Sequence, residues 1–454
     1  MNPAIFRQYD IRGLAETDLT DDVVCSIGKA FGTIIRRAEL KKIALGSDVR
    51  LSSNRLKDAL SEGILSTGCD VIDVGVVPTP VLYFSIFHYA TDGGIMITGS
   101  HNPKEYNGFK LCKGETTIYG DEIQDLKKII EKKDFIKGKG SMESKDPVDA
   151  YIELLKTKVK IERPLKIIVD PGNGTAGPIA RKLFKDLGCE VECIYCEPDG
   201  NFPNHLPDPT VPEYIVDLIR LVKGEKADLG IGYDGDGDRI GVIDELGNII
   251  WGDKLLALFS KEILEKKKGL PIIFEVKCSQ GLVEFIESHG GVPIMWKTGH
   301  SLIKAKMKEE NSPLAGEMSG HMFFKDNYYG YDDAIFASLR LLQIISKTDE
   351  PLSKLASEIP YYHSTPEIRV DCSDETKFGI VEKVRDYFKK NYDVIDIDGV
   401  RVLFGDGWGL VRASNTQPVL VLRFEAKTEE RLEEIKKIVL NKLREFPSVG
   451  LKDT

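Results

Sequence analysis

The 454-residue chain carries 62 Lys and Arg against 72 Asp and Glu, giving a formal net charge of −10 and a sequence pI near 5.4. That balance excludes a general nucleic-acid binder, and 42% hydrophobic with 30% charged residues excludes a disordered chain. The opening MNPAIFRQYDIRG has no basic segment followed by an apolar run, and no stretch reaches the roughly 18 apolar residues of a membrane span, so a cytoplasmic, multidomain enzyme that contacts no membrane is expected.

In chain order, KKIALGSDVR leads through a helical stretch to STGCDVIDVG. An apolar strand at Ile95–Ile97 then opens into Thr98-Gly99-Ser100-His101-Asn102-Pro103, with Lys110 a short distance on. A nucleophilic Ser–His pair is one reading, but the G-x-S-x-G elbow of hydrolases is missing and directly adjoining residues rarely reach triad geometry. A serine that carries a phosphoryl group fits better, beside the plainer reading of a polar turn between strands. Residues 131–146 (EKKDFIKGKGSMESKD) are rich in Lys, Gly and Ser without periodicity and read as a linker.

The same layout returns in PLKIIVDPGNGTAG, IARKLFKDLG and CEVECIYCEPDG, where Ile179, Leu183, Phe184 and Leu187 have helical spacing. Cys193 and Cys196 have CxxC spacing, but no second pair completes a zinc site and no helix start activates a thiolate. They are expected to be thiols in or beside a strand. Next comes GYDGDGDRIG, 232–241, between ADLGI and IGVID. Asp234, Asp236 and Asp238 repel one another unless a cation sits among them, and Gly235 and Gly237 permit the tight backbone that gathers them. Oxygen-only ligation suits Mg²⁺ or another hard divalent ion. An EF-hand would place Glu245 at its twelfth position, but it needs flanking helices and these flanks are β-rich. Arg239 could hold this loop or bind a phosphate.

A third copy of the layout runs through GLPIIFEVKCSQ, GLVEFIESHG and GVPIMWKTGH. Threefold strand–helix–strand recurrence predicts an α/β architecture of three related units. LAGEMSGHMFF, 314–324, then places Glu317, Ser319 and His321 at alternate positions, expected to point one way from extended backbone and to suit sugar hydroxyls. His101, His300 and His321 lie in Gly/Ser-rich loops; His88, His205, His289 and His363 read as structural. The remainder is α+β, with consecutive strands joined through Gly turns. Its GLVRASNTQPVL, 409–420, groups Arg412, Ser414, Asn415 and Thr416 as a phosphate cradle, or else a hydrogen-bonded turn. The expected units are 1–146, 147–248, 249–360 and 361–454, one polar loop each.

TGSHNP, DGDGDR, GEMSGH and RASNT, in this order and spacing, resemble the phosphoserine, metal, sugar-recognition and phosphate loops of the α-D-phosphohexomutase family. The resemblance spans essentially the whole chain. FRQYDIRG, KTGHSLIK at 297–304 and Met318 in GEMSGH match its phosphomannomutase/phosphoglucomutase branch; the glucosamine branch more often has Gln at that Met. The resemblance implies three α/β domains with mixed sheets and a C-terminal α+β domain around a central cleft. It implies interconversion of hexose 1-phosphates and 6-phosphates, of mannose and glucose, through a phosphoserine at Ser100 and a glucose or mannose 1,6-bisphosphate that also serves as activator.

By the same match, Mg²⁺ would sit on Asp234, Asp236, Asp238 and a phosphate oxygen on Ser100, with Arg12 and Arg239 stabilising the transferred group. His101 and Lys110 are the proton-transfer candidates. Glu317, Met318, Ser319, Gly320 and His321 would read the sugar, and Arg412, Ala413, Ser414, Asn415 and Thr416 the remote phosphate. Tyr9, Lys277 and His300 match positions along the cleft. Phosphoglucosamine mutase is the alternative within the family. A metal-dependent sugar-phosphate phosphatase is more distant, because it needs only one phosphate site, and a non-enzymatic sensor would not need three clustered carboxylates.

Overall fold

The computed structural model describes residues 1–415 and 417–451; Thr416 lies outside the described residues. The three recurrent segments fold alike. In each, two parallel strands flank a helix: Lys42–Ser47 with Asp70–Val76, Lys166–Asp170 with Glu190–Cys193, and Pro271–Glu275 with Val292–Trp296. On the other side of the first strand lies a third parallel strand, Gly93–Ile97, Leu229–Tyr233 or Leu314–Gly316. That strand then folds back antiparallel, onto Tyr106–Lys113, Ile240–Asp244 or Met322–Phe324, which makes each sheet mixed. Gly93–Ile97 and Leu229–Tyr233 are buried along their whole length, as expected for strands covered on both faces.

The C-terminal unit is an antiparallel sheet built on Gly407–Ala413 and Val419–Ala426, backed by the helices Lys377–Phe388 and Glu429–Leu443. The four polar loops thus occupy equivalent places, each closing the hairpin at an internal strand. One apolar core runs through the three α/β units, joining Met96, Ile231 and Phe274. A second core within the first unit takes the apolar face of the helix Asp21–Arg37, including Val24, Ile27 and Phe31. Asp21–Arg37 has Asp21 and Asp22 in its first turn and Arg36 and Arg37 in its last, complementing the helix dipole.

Two local expectations are corrected. Within the stretch read as a linker, Met142–Ser144 is an edge strand paired in parallel with Asp70–Val76. Its side chains are all exposed, so it needed no apolar alternation to form. Cys193 and Cys196 form a disulfide rather than standing as thiols. The strand ends at Cys193 and the backbone reverses at Tyr195, with φ +51°, which brings the two together. Among the described residues, no helix is long and apolar enough to cross a membrane.

Candidate active site

Ser100 follows the buried strand Gly93–Ile97 and takes a left-handed backbone, φ +50°, unusual for a residue with a side chain. Its N–H is held by the Thr98 hydroxyl at 2.8 Å. This turn aims the Ser100 hydroxyl across the cleft, where Oγ donates to Asp234 Oδ2 at 2.8 Å and lies 3.1 Å from His101 Nδ1. Burial, then the nearby Arg239 and Arg12 guanidiniums, hold the His101 imidazole well below its usual range, so it is neutral.

The facing loop gathers three fully buried carboxylates, whose oxygens lie within 4.8 Å of one another. Gly237, with φ +70°, lets the chain turn back so that Asp234 Oδ1 accepts from the Asp238 and Arg239 N–H groups, each at 3.1 Å. Thr79 Oγ1 donates to Asp236 Oδ2 at 2.6 Å. Lys110 Nζ donates to the same oxygen at 2.7 Å and also to Asp238 Oδ2. Burial, then the Asp238 and Asp236 charges, push the Asp234 carboxyl well above the usual carboxylate range. Burial would lower the Lys110 ammonium, yet Asp236 and Asp238 outweigh it and hold the group above its ordinary value. The remaining Oδ1 atoms of Asp236 and Asp238 are buried with no hydrogen-bond partner. Buried carboxylate oxygens left in this way fit a hard divalent cation, with Asp234, Asp236 and Asp238 as its ligands.

The loop 317–321 adjoins this cluster. Gly320, φ +91°, packs so closely on Ile240 that a Cβ would fall 2.3 Å from that carbonyl oxygen. The Ile240 N–H donates to Gly320 O at 3.1 Å, and Arg239 Nε donates to His321 Nε2 at 3.0 Å. Residues 317–320 form a tight turn, with the Gly320 N–H donating to Glu317 O at 3.0 Å. Glu317, Ser319 and His321 therefore do not form a row on extended backbone, because Gly320 bends the chain between them. Glu317 is buried and Oε1 accepts from the Gly299 N–H at 2.7 Å; burial raises its carboxyl despite the opposing influence of His321.

Tyr9 ties the N-terminal segment to the opposite end of the cleft. Its hydroxyl donates to Thr298 O at 2.7 Å and accepts from Asn415 Nδ2 at 2.6 Å. The ring lies edge-on to His300 with centroids 6.4 Å apart, and His300 stacks on His321 at 5.8 Å. Arg412 projects from the C-terminal sheet and is held by Asp398, Nη2 to Oδ2 at 3.0 Å. Ala413 pairs with Leu420 in the same hairpin, and Ser414 Oγ accepts from the Gln417 N–H at 3.1 Å. Lys277 Nζ pairs with Glu367 at 3.0 Å, while Glu275 gathers the Thr298 hydroxyl, the Lys277 N–H and the Met318 N–H. Arg12 reaches Asn102 Oδ1 at 3.0 Å and Asp10 at 2.6 Å.

Sequence reasoning missed Thr79, Glu275, Asp332 and Asp398. Asp332, fully buried, pairs with Lys304 at 2.9 Å and faces His321 Nδ1 at 3.4 Å. Only its place in GYDDA, two residues after Gly330 and beside Asp333, could have drawn attention to it.

Three mixed α/β sheets and an antiparallel C-terminal unit, with their hairpin loops turned toward one cleft, are the architecture of phosphohexomutases. The descriptions "Phosphoglucomutase/phosphomannomutase, alpha/beta/alpha domain" I, II and III match residues 3–137, 149–247 and 251–362, and the C-terminal domain of the same family matches 367–442. The chain belongs to the phosphoglucomutase/phosphomannomutase family, and it is a phosphotransferase of the mutase kind. It is 48% identical over 446 residues to a phosphomannomutase/phosphoglucomutase of Pseudomonas aeruginosa, covering 98% of this chain and 96% of that one. It is 45% identical to a phosphoglucomutase of Neisseria gonorrhoeae, covering 95% of each. A crystal structure of a phosphoglucomutase/phosphomannomutase family protein from Burkholderia thailandensis superposes with a TM-score of 0.94 at 44% identity, over 99% of this chain and all of that one. These relatives favour the mannose and glucose reading over phosphoglucosamine mutase and over a phosphatase.

Proposed function

We propose that the chain, acting in the cytoplasm on small hexose phosphates, moves a phosphoryl group between O1 and O6 of glucose and mannose by way of Ser100. The observation that carries this reading is the approach of Ser100 Oγ to Asp234 at 2.8 Å, on a strained turn beside three buried carboxylates. In the first half-reaction the bond between phosphorus and Ser100 Oγ breaks, a bond to the free sugar hydroxyl forms, and the hydroxyl proton leaves. The product is a hexose 1,6-bisphosphate. After this turns over in the cleft, its other phosphoryl group returns to Ser100, and a hexose phosphate of the opposite regiochemistry departs.

Each residue has a physical task in these steps. Arg239 and Arg12 place positive charge beside the transferred group, where it spreads over the equatorial oxygens. Lys110, held as an ammonium by the carboxylates, adds to that charge. His101, neutral and 3.1 Å from Ser100 Oγ, is placed to exchange the proton of that oxygen. A Mg²⁺ ion held by Asp234, Asp236 and Asp238, together with a phosphate oxygen on Ser100, would supply charge neutralisation. Arg412, Ala413, Ser414, Asn415 and Thr416 grip the phosphate that is not reacting, so that remote binding energy positions the reacting end. Glu317, Met318, Ser319, Gly320 and His321 hold the ring, and Tyr9, Lys277 and His300 line the path between the two ends. The units 1–146, 147–248, 249–360 and 361–454 contribute one loop each.

A coupled assay with glucose 1-phosphate, mannose 1-phosphate and glucosamine 1-phosphate tests the reading. Formation of 6-phosphates from the first two, stimulated by glucose 1,6-bisphosphate, is expected. Release of free phosphate, or preference for glucosamine 1-phosphate, would contradict it.

A further inference from the structure

Arg50 lies outside all four loops, yet it is buried to 2% exposure beneath the one that carries Ser100. Every N–H of its guanidinium is engaged. Nε donates to Asp48 Oδ2 at 3.1 Å. Nη1 donates to the carbonyls of Pro103 at 2.6 Å and Tyr106 at 2.9 Å. Nη2 donates to those of Ser100 at 2.8 Å and Asn102 at 2.6 Å. Asp48 completes the frame by accepting from the Gly99 N–H at 3.1 Å and the Ser53 hydroxyl at 2.9 Å. From the second unit, Phe202 covers the guanidinium with its ring centroid 5.2 Å from Cζ.

The contacts fall on both sides of the residue whose backbone is strained. A left-handed φ at a non-glycine residue is strained and persists only where the surroundings over-determine it. Ser100 has such a φ, and its carbonyl lies between Arg50 and Gly235, where a Cβ on Gly235 would fall 2.6 Å from it. Gly99 is glycine for the same reason: a Cβ there would sit 2.5 Å from Arg50 Cζ. A lysine offers three donors on a mobile stem and cannot reproduce a planar fork that meets four carbonyls and a carboxylate.

We propose that Arg50 is a positioning residue for phosphoryl transfer: its guanidinium is the template on which the 99–106 loop is wound, and it fixes the direction of Ser100 Oγ toward the metal-binding carboxylates. This rests on the reading of Ser100 as the phosphoryl carrier. Arg50 touches no reacting atom, so substrate affinity, set by the far phosphate and the sugar loop, is separate from its effect.

Full-length Arg50→Lys and Arg50→Gln are compared with wild type and with Gly99→Ala, which disturbs the same contact from the loop side while leaving Arg50 in place. The expected result is a fall in kcat of about a hundredfold, the scale of a nucleophile misplaced by about an ångström. KM for glucose 1-phosphate should stay within about threefold. The rate at which glucose 1,6-bisphosphate phosphorylates Ser100, followed by intact mass, should fall in parallel, in protein shown to be folded by its melting curve at the assay temperature. The inference is overturned if folded Arg50→Lys and Gly99→Ala keep wild-type kcat, if the loss lies in KM alone, or if activity merely tracks the folded fraction. A wild-type enzyme that interconverts the sugars with no phosphate on Ser100 would instead overturn the reading of the reaction itself.

Discussion

At Asp236 and Asp238, one oxygen of each carboxylate is committed to Lys110 while the other is buried without a partner. A buried carboxylate oxygen left without a partner is costly, and on the proposed reading a Mg²⁺ ion would meet that need. Asp236→Asn removes one ligand and its charge together, and turnover is expected to fall by about a hundredfold or more. Steady-state kinetics in Mg²⁺ checks this, and full wild-type activity in excess EDTA would contradict the metal assignment. Arg412→Ala tests the other end of the cleft. Removing a charge-assisted hydrogen bond to phosphate costs about 1.5–3 kcal/mol, or roughly ten- to a hundredfold in kcat/KM. Unchanged kinetics would place the remote phosphate elsewhere.

At the scale of elements, the helix Ala334–Ser346 begins at Asp333, whose Oδ1 accepts from the Phe336 N–H at 2.8 Å while the Tyr151 and Tyr328 hydroxyls donate to the same carboxylate. Burial outweighs these hydrogen bonds and raises the Asp333 carboxyl from 3.8 to about 6. A carboxyl raised in the folded state stabilises the fold fully below its unfolded pKa, and that contribution is lost as pH rises through the folded value. Between about pH 4 and pH 8 the loss is on the order of 3 kcal/mol. Asp333→Asn keeps a cap acceptor and cannot ionise. Its stability relative to wild type, from urea unfolding at the two pH values, should therefore improve by roughly that amount at the higher pH. A difference independent of pH would contradict the assignment.

Much of this organisation was legible in the sequence, because helix periodicity, Gly stops and clustered carboxylates are local signals. The three strand–helix–strand segments and the DGDGDR turn are read from residues a few positions apart. What was not legible depends on partners far along the chain. Gly320 bends the 317–321 loop because Ile240 lies against it, so the alternation of Glu317, Ser319 and His321 does not become an extended row. Arg50, Thr79 and Asp398 act on loops that only the fold brings to them. Met142–Ser144 pairs through its backbone alone, which leaves no trace in side-chain pattern.

For the molecule as a whole, the proposed reaction, with a phosphate at each end and the ring between them, requires that the bisphosphate fit in two orientations. A half-turn exchanging the phosphates leaves the C3 and C4 hydroxyls nearest the axis, where Glu317 as acceptor and Ser319 as donor, on one tight turn, can serve both poses. The C2 group is then read weakly. Glucose 1-phosphate and mannose 1-phosphate are expected to have kcat/KM within about tenfold, or 1.4 kcal/mol. Galactose 1-phosphate, inverted at C4, leaves the buried Glu317 poorly paired and should be worse by at least about a hundredfold. Equal turnover of galactose 1-phosphate and glucose 1-phosphate would contradict this account of Glu317 and Ser319.

The central claim is that Ser100 carries the phosphoryl group, and intact-protein mass with site mapping tests it most directly. Dephosphorylated enzyme treated with glucose 1,6-bisphosphate should gain one phosphate, located on Ser100, and should lose it when glucose 6-phosphate is added in excess. Ser100→Ala should gain none, keep its fold and lose nearly all turnover. Mutase turnover by an enzyme on which no phosphate ever appears at Ser100 would contradict the account.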